Sequence, residues 1–248
     1  MRTSCSGIVL GMTLIDERPI TATNGVAPQS TSHTNPTRRK QHWALWGVAA
    51  GVAGFAGLSA DGSMSLTEAD YLRGSDVVDV LDRGPYHVGI VLGLVAAVSL
   101  LVLAAAWRRW ADAHGRGSLA AGVVAQALTA SAGAMFLGYG FKGSFAVYLD
   151  GGIDAGTMTD EGLYSVFMFL DFAPFISWWG VAVALGAVAW LGFRERRFGK
   201  GVATVAAIFA VFPALIVLAT GLPGIPGVVC PLGLVITSVL VHRARSAA

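Results

Sequence analysis

The sequence predicts an all-α fold, a polytopic membrane bundle of six transmembrane helices with both termini in the cytoplasm. Three observations carry this. The 248 residues are 54% hydrophobic and only 13% charged, with a mean hydropathy of +0.64, too apolar for a soluble domain of this length. The charges fall in short clusters separated by apolar runs of about 20 residues, the length that crosses a bilayer core. The Lys and Arg residues are also sided: the N-terminal tail, the loops 108–117 and 194–200 and the C-terminus hold 14 of them, against three on the opposite side, Arg73, Arg83 and Lys142. By the positive-inside rule the first set is cytoplasmic. Soluble enzyme, nucleic-acid binder and disulfide scaffold are excluded as classes.

Residues 1–42 read as a disordered basic tail, rich in Thr, Ser, Asn and Pro and ending in Arg38, Arg39 and Lys40. The apolar run 7–14 is too short and too interrupted for a span or a signal peptide, and Met12 stands as an alternative start. The transmembrane domain, 43–243, holds apolar segments at 43–60, 85–107, 118–141, 172–193, 201–221 and 223–242. Its outer loops, 61–84 and 142–171, are acidic: eleven carboxylates lie on or near that side against three bases. The basic inner rim, with Trp43, Trp46, Trp107, Trp110 and Trp190 beside it, is an interfacial anchor that also meets anionic lipid heads.

Within the first outer loop, Ser65 and Glu68 fit a capping box that starts a short helix. Asp76, Asp79 and Asp82 recur every three residues opposite Val77, Val78 and Leu81, as on a helix resting at the membrane surface and bounded by Gly74 and Gly84. The second loop is Gly-rich and irregular, with Thr159 capping a helix that runs through Leu163 into the fourth span. Cys5 in the tail and Cys230 inside the sixth span form no thiol motif.

Intramembrane ionisable groups mark transport paths and catalytic sites, because burying them is costly. Counting at about 1.5 Å per residue puts Asp171 roughly 34 Å from Arg194, His87 roughly 31 Å from Arg108 and Lys142 roughly 37 Å from Gly117, all at the outer rim. No ionisable residue is left at the midplane, where the polar residues are Ser99, Gln126, Thr129, Ser131, Ser177, Thr237 and Ser238. This argues against proton-coupled transport, metalloprotease, haem and retinal chemistry; no cofactor or metal is expected. Nucleotide-binding loops and metal spacings are missing too.

Three features stand out against this background. A rim of His87, Tyr139, Lys142, Tyr148 and Asp171, with Asp82 and Arg83 near it, is a candidate ligand site in which Lys142 pairs with Asp171; ordinary interfacial anchoring is the plainer account. Pro213 and Pro231, a little outside the midplane in consecutive spans, either kink a hairpin around a ligand cavity or simply bend it. Small residues at four-residue spacing, Gly47 with Gly51 and Ala121, Ala125, Thr129 and Gly133 beside Gln126, mark packing inside the bundle ahead of a homodimer seam.

The last third of the chain, from Asp171 through the basic loop 194–200 and the hairpin 221–227 to Val241, His242 and Arg243, resembles a bacterial, actinobacterial-looking family of six-pass membrane proteins described only as a domain of unknown function. That resemblance implies a six-helix membrane fold and carries no activity and no functional residue. The function expected is that of a non-enzymatic structural or accessory component of the cell membrane, in contact with the lipid bilayer and with a membrane protein partner or a second copy of itself. The alternative is a binder or carrier of a small or lipidic molecule through an outward-facing cavity at His87, Tyr139, Lys142, Asp171, Pro213 and Pro231. An outer-surface enzyme with His87 as base and Asp171 as its orienter is a more distant third.

Overall fold

The computed structural model describes residues 42–114, 117–170 and 172–246, and among these every regular element is helical. The helices are α1 (Leu45–Ser59), α2 (Glu68–Tyr71), α3 (Arg83–His114), α4 (Leu119–Tyr148), α5 (Asp160–Leu170), α6 (Ala173–Ile176), α7 (Trp179–Phe193), α8 (Lys200–Thr220) and α9 (Ile225–Ser246), with short 3-10 turns at His42–Ala44, Gly62–Ser65 and Gly74–Val80. Five stretches are long and apolar enough to cross a membrane: Arg83–His114, Leu119–Tyr148, Asp160–Phe193, Lys200–Thr220 and Ile225–Ala244. By length and composition this is a multi-pass membrane protein. The first expected span, α1, has 15 residues. The tail expected to be disordered lies outside the described residues.

Packing follows a ring. Helix α1 lies against α3 and α9, α3 against α4, α4 against α7, and α7 against α9. Helix α8 sits outside the ring on α7 and α9, with Ile208, Val211, Phe212, Leu215 and Leu218 exposed along its free face. Inside, Leu100, Leu128, Met135, Trp178, Val181 and Leu191 form the fully buried core. Glycine sets how closely α1 approaches its neighbours. A Cβ at Gly47 would fall 2.0 Å from Ser238 Oγ, and one at Gly51 would fall 2.6 Å from the Pro231 carbonyl oxygen. This GxxxG pair therefore seats α1 on α9 within one chain.

The expected small-residue stripe on α4 is corrected. Ala121 and Ala125 are buried, but Thr129 and Gly133 are exposed. A spacing of four advances about 40° beyond a full turn at each step, so four such residues drift off any one face. The buried face is instead Ala121, Val124, Ala125, Leu128, Ser131, Ala132, Met135, Tyr139 and Lys142.

Two further differences concern the segments at and beyond the ends of α4. Helix α4 runs past the expected end of its span as far as Tyr148 because a second core surrounds it: Val77, Val78, Tyr86, Phe145, Leu149, Leu163, Phe167 and Leu170. The apolar stretch Asp160–Phe193 is built from separate helices, α5, α6 and α7. Pro174 opens the new helix α6, a position where the missing N–H costs nothing. At the break Ser131 Oγ donates to the Ser177 carbonyl and Ser177 Oγ to the Pro174 carbonyl.

Thr159 caps α5 as expected, its hydroxyl accepting from Gly162 N–H at 3.2 Å. The Asp76 and Asp79 face is exposed over buried Val77 and Val78, on a 3-10 turn whose three-residue period matches their spacing. The capping box, however, is at Thr67 and Asp70 rather than Ser65 and Glu68. Asp70 Oδ2 accepts from Thr67 N–H at 2.8 Å and from Thr67 Oγ1 at 2.7 Å. These bonds, reinforced by Arg73, hold its carboxyl below the usual aspartate range. A depressed folded value means the cap contributes above the ordinary carboxylate pKa and is lost as pH falls through the lowered one. Carboxyl NMR should find Asp70 titrating below the usual range and raised toward it by Thr67→Ala, which removes the hydroxyl bond but keeps the backbone one; an ordinary value in the parent protein would remove the cap from this account.

The charge is bipolar. Arg108, Arg109, Arg194, Arg196, Arg197, Lys200 and Arg243 are all exposed. The segments that carry them meet at one end of the bundle, where Phe198 packs on Trp107 and Trp110, Ser118 Oγ donates to Glu195 at 2.8 Å, and the His42 ring lies 5.5 Å from that of His242. Trp107 Nε1 donates to the Ala121 carbonyl across that end at 3.0 Å. Trp107→Phe should lower stability by about 1 kcal/mol, the worth of one buried bond; equal melting of variant and parent in detergent would show the bond idle.

Candidate functional site

At the other end, the last carbonyls of α1 have no acceptor role left within their own helix, and they carry the negative pole of its dipole. Lys142 of α4 answers them. Its ammonium donates to Gly57 O at 3.0 Å, Leu58 O at 3.3 Å and Ala60 O at 2.8 Å, and stands 2.9 Å from Asp61 Oδ2. The residue is 0% exposed. One turn back, Tyr139 reaches the same helix, its hydroxyl donating to Gly54 O at 2.9 Å. Both side chains come from α4, which is not α1's neighbour in the ring; they pass across α3.

Glycine makes that passage. A Cβ at Gly93 would fall 2.1 Å from Tyr139 Cγ, and one at Gly89 would fall 2.6 Å from Ala60 O and 2.9 Å from Lys142 Cδ. On the facing side, Gly57 lies against Gly89 and Gly93, and Gly54 against the buried Trp178 ring. A methyl at Gly89 or Gly93 would therefore occupy space that Lys142 or Tyr139 needs.

Asp61 is fully engaged. Its Oδ1 accepts from Ser63 N–H at 2.9 Å and Ser63 Oγ at 2.7 Å, while Oδ2 faces Lys142. Beside it a recess of about 110 Å³ is lined by Leu58, Asp61, Ser63, Tyr86, Phe167, Leu170 and Phe175. That space admits a few waters, and its polar wall is the Asp61 and Ser63 pair with the Tyr86 ring opposite.

The other residues of the expected rim are placed as follows. Among the described residues Lys142 pairs with Asp61; Asp171, its expected partner, lies outside them. His87 is exposed on α3 and Tyr148 is half-buried at the end of α4. Arg83 Nε donates to the Ala146 carbonyl at 2.7 Å, so it serves the last turn of α4 as Lys142 serves that of α1. Arg73 lies 3.7 Å from Asp70. Arg73, Arg83 and Lys142 are thus each engaged within the chain.

Pro213 is buried in α8, and its missing N–H frees the carbonyl of Phe209. The Cys230 thiol of α9 approaches that carbonyl at 3.8 Å. Pro231 packs its own carbonyl against Gly51. Between α1, α3, α4, α7 and α9 a cavity of about 40 Å³ lies among Leu103, Trp107, Leu128, Leu185, Leu234 and Thr237, almost wholly apolar.

Sequence reasoning missed Asp61, Tyr86, Gly89 and Gly93. The available signal was Asp61 itself, directly after the first apolar segment and so at the same level as Lys142. No family model, curated protein or solved structure matches the chain.

Proposed function

We propose that the chain is a cell-membrane protein that crosses the bilayer six times with both termini in the cytoplasm. It serves as a non-enzymatic structural or accessory component presenting an acidic outer face to a partner. The observation that carries this reading is the asymmetry of engagement at the outer end. Arg73, Arg83 and Lys142 are spent on Asp70, Ala146 and the α1 terminus, while Glu68, Asp76, Asp79, Asp82, Asp150, Asp154, Asp160 and Glu161 stay exposed. A surface so charged favours a cationic partner and repels acidic ones.

The orientation rests on the positive-inside rule. The sixth crossing is α1 with its preceding turn, His42–Ser59, about 27 Å long at 1.5 Å per residue, a length a bilayer accommodates by slight thinning. The binder reading has one supporting feature, the recess beside Asp61.

Purification in mild detergent followed by native mass spectrometry tests the proposal. A stoichiometric protein partner is expected, and it should be lost when Asp76, Asp79 and Asp154 are changed together to Asn. A retained small molecule without any protein, or a partner indifferent to those charges, would overturn it.

A further inference from the structure

Helix α4 is among the stretches long and apolar enough to cross a membrane, and from Leu119 to Phe141 it holds no charged residue. Its outward face differs from those of α3 and α8. These two turn large side chains outward, Val91, Leu94 and Val98 on the first and Phe212, Leu215 and Leu218 on the second. On α4 the exposed residues between 122 and 133 are Gly122, Gln126, Thr129, Ala130 and Gly133. A Cβ at Gly122 or at Gly133 would meet nothing within 4 Å, so the backbone itself is the surface there. On one side lies a groove of about 670 Å³ walled by Val123, Ala127, Gly180 and Val183, and on the other a recess of about 200 Å³ beside Ala121 and Ala125. The face is a ridge of small residues between two hollows.

Gln126 stands on that ridge, about 10 Å from the start of α4, with Val123, Val124, Ala127 and Leu128 around it. The Thr129 hydroxyl is satisfied by the Ala125 carbonyl at 2.9 Å, whereas the Gln126 amide makes no hydrogen bond to any described residue. A primary amide carries two N–H donors and an oxygen with two lone pairs. Hydrocarbon meets none of them, so a polar side chain at this depth calls for a partner.

We propose that this ridge is the seam of a parallel homodimer, in which the Gln126 amides of the two copies bond to each other. Copies inserted in the same sense are related by a two-fold axis along the membrane normal, so residues on the ridge meet their own counterparts. Charged groups would repel there. An amide is self-complementary, each N–H donating to the other's carbonyl oxygen, and the uncharged stretch 119–141 brings no like charges onto the axis. The small residues let the backbones approach closely enough for these bonds, and the hollows receive the side chains that flank the partner's ridge. Beyond Gly133 the exposed Phe136 and Leu137 part the helices, which confines the contact to about three turns. A lipid chain could cover the ridge but would leave the amide without a partner.

The test is disulfide cross-linking in isolated membranes of a chain carrying Cys5→Ser and Cys230→Ser with one reporter, Gly122→Cys or Ala130→Cys on the ridge or Leu215→Cys on α8. Both ridge reporters should join two copies of the chain, and Leu215→Cys should stay monomeric. In a bilayer dilution series Gln126→Leu should weaken association by about three- to tenfold, the weight of an interhelical hydrogen bond in a membrane. Gly122→Leu, which meets open space in the single chain, should abolish association without disturbing the fold. Equal cross-linking at Leu215→Cys, a ridge reporter joined to a different protein, or association indifferent to either variant would overturn the seam. Changing Asp76, Asp79 and Asp154 to Asn should leave the cross-link unchanged, so failure of the seam and failure of the outer-face partner are read separately.

Discussion

Lys142→Met will be among the most damaging single substitutions in this protein, at a cost of about 3–5 kcal/mol, the range for removing one partner of a buried ion pair. The methionine is similar in length but donates nothing. Gly57 O, Leu58 O and Ala60 O then lose their common donor, and the Asp61 carboxylate, 14% exposed, keeps its charge without its cation. Asp61→Asn should cost clearly less, because Lys142 retains three carbonyl acceptors and the Asn side-chain oxygen still accepts from Ser63. The double variant should be milder than the sum of the two, as expected for residues in one network. Thermal unfolding in detergent reads all three. A Lys142→Met protein as stable as the parent would mean the ammonium is solvated rather than clasped.

Gly93→Ala is the second large effect, from a single methyl. Its Cβ would lie 2.1 Å from the Tyr139 ring, a rigid group already fully buried. Overpacking of this kind costs about 1–3 kcal/mol, and displacing Tyr139 also forfeits its bond to Gly54 O, worth about 1 kcal/mol. Gly133→Ala on the exposed face of α4 meets nothing within 4 Å and should be neutral or slightly stabilising. Tyr139→Ala should partly rescue Gly93→Ala by opening the space the methyl needs. Equal stability of Gly93→Ala and Gly133→Ala would show that α3 and α4 are not in such close contact.

Five of the apolar segments, the gathering of the basic residues at one end of the bundle and the level of Lys142 were legible in the sequence, since length and charge order suffice for them. Lys142's partner was not. Counting along a helix gives the height of a side chain but not its azimuth, so Asp61 and Asp171 were equally eligible. Choosing between them requires knowing that α3 separates α4 from α1 and carries glycine where the side chains pass, and span order does not determine which helices touch. The outer extension of α4 escaped for a similar reason, because Tyr86, Phe145 and Phe167 meet only after the chain has folded back. At the short α2, both Ser65 with Glu68 and Thr67 with Asp70 satisfy the capping pattern, and local sequence offers no reason to prefer the second.

The central claim is that α1 crosses the membrane and is closed at its outer end by a lysine from α4. Impermeant maleimide labelling of intact cells tests it most directly, in a chain carrying Cys5→Ser and Cys230→Ser with single reporters Thr34→Cys before α1 and Thr157→Cys in the outer loop. The account predicts that Thr157→Cys labels at once and Thr34→Cys only after permeabilisation. Labelling of both reporters in intact cells would contradict it, because the chain would then cross five times with α1 lying on the outer side.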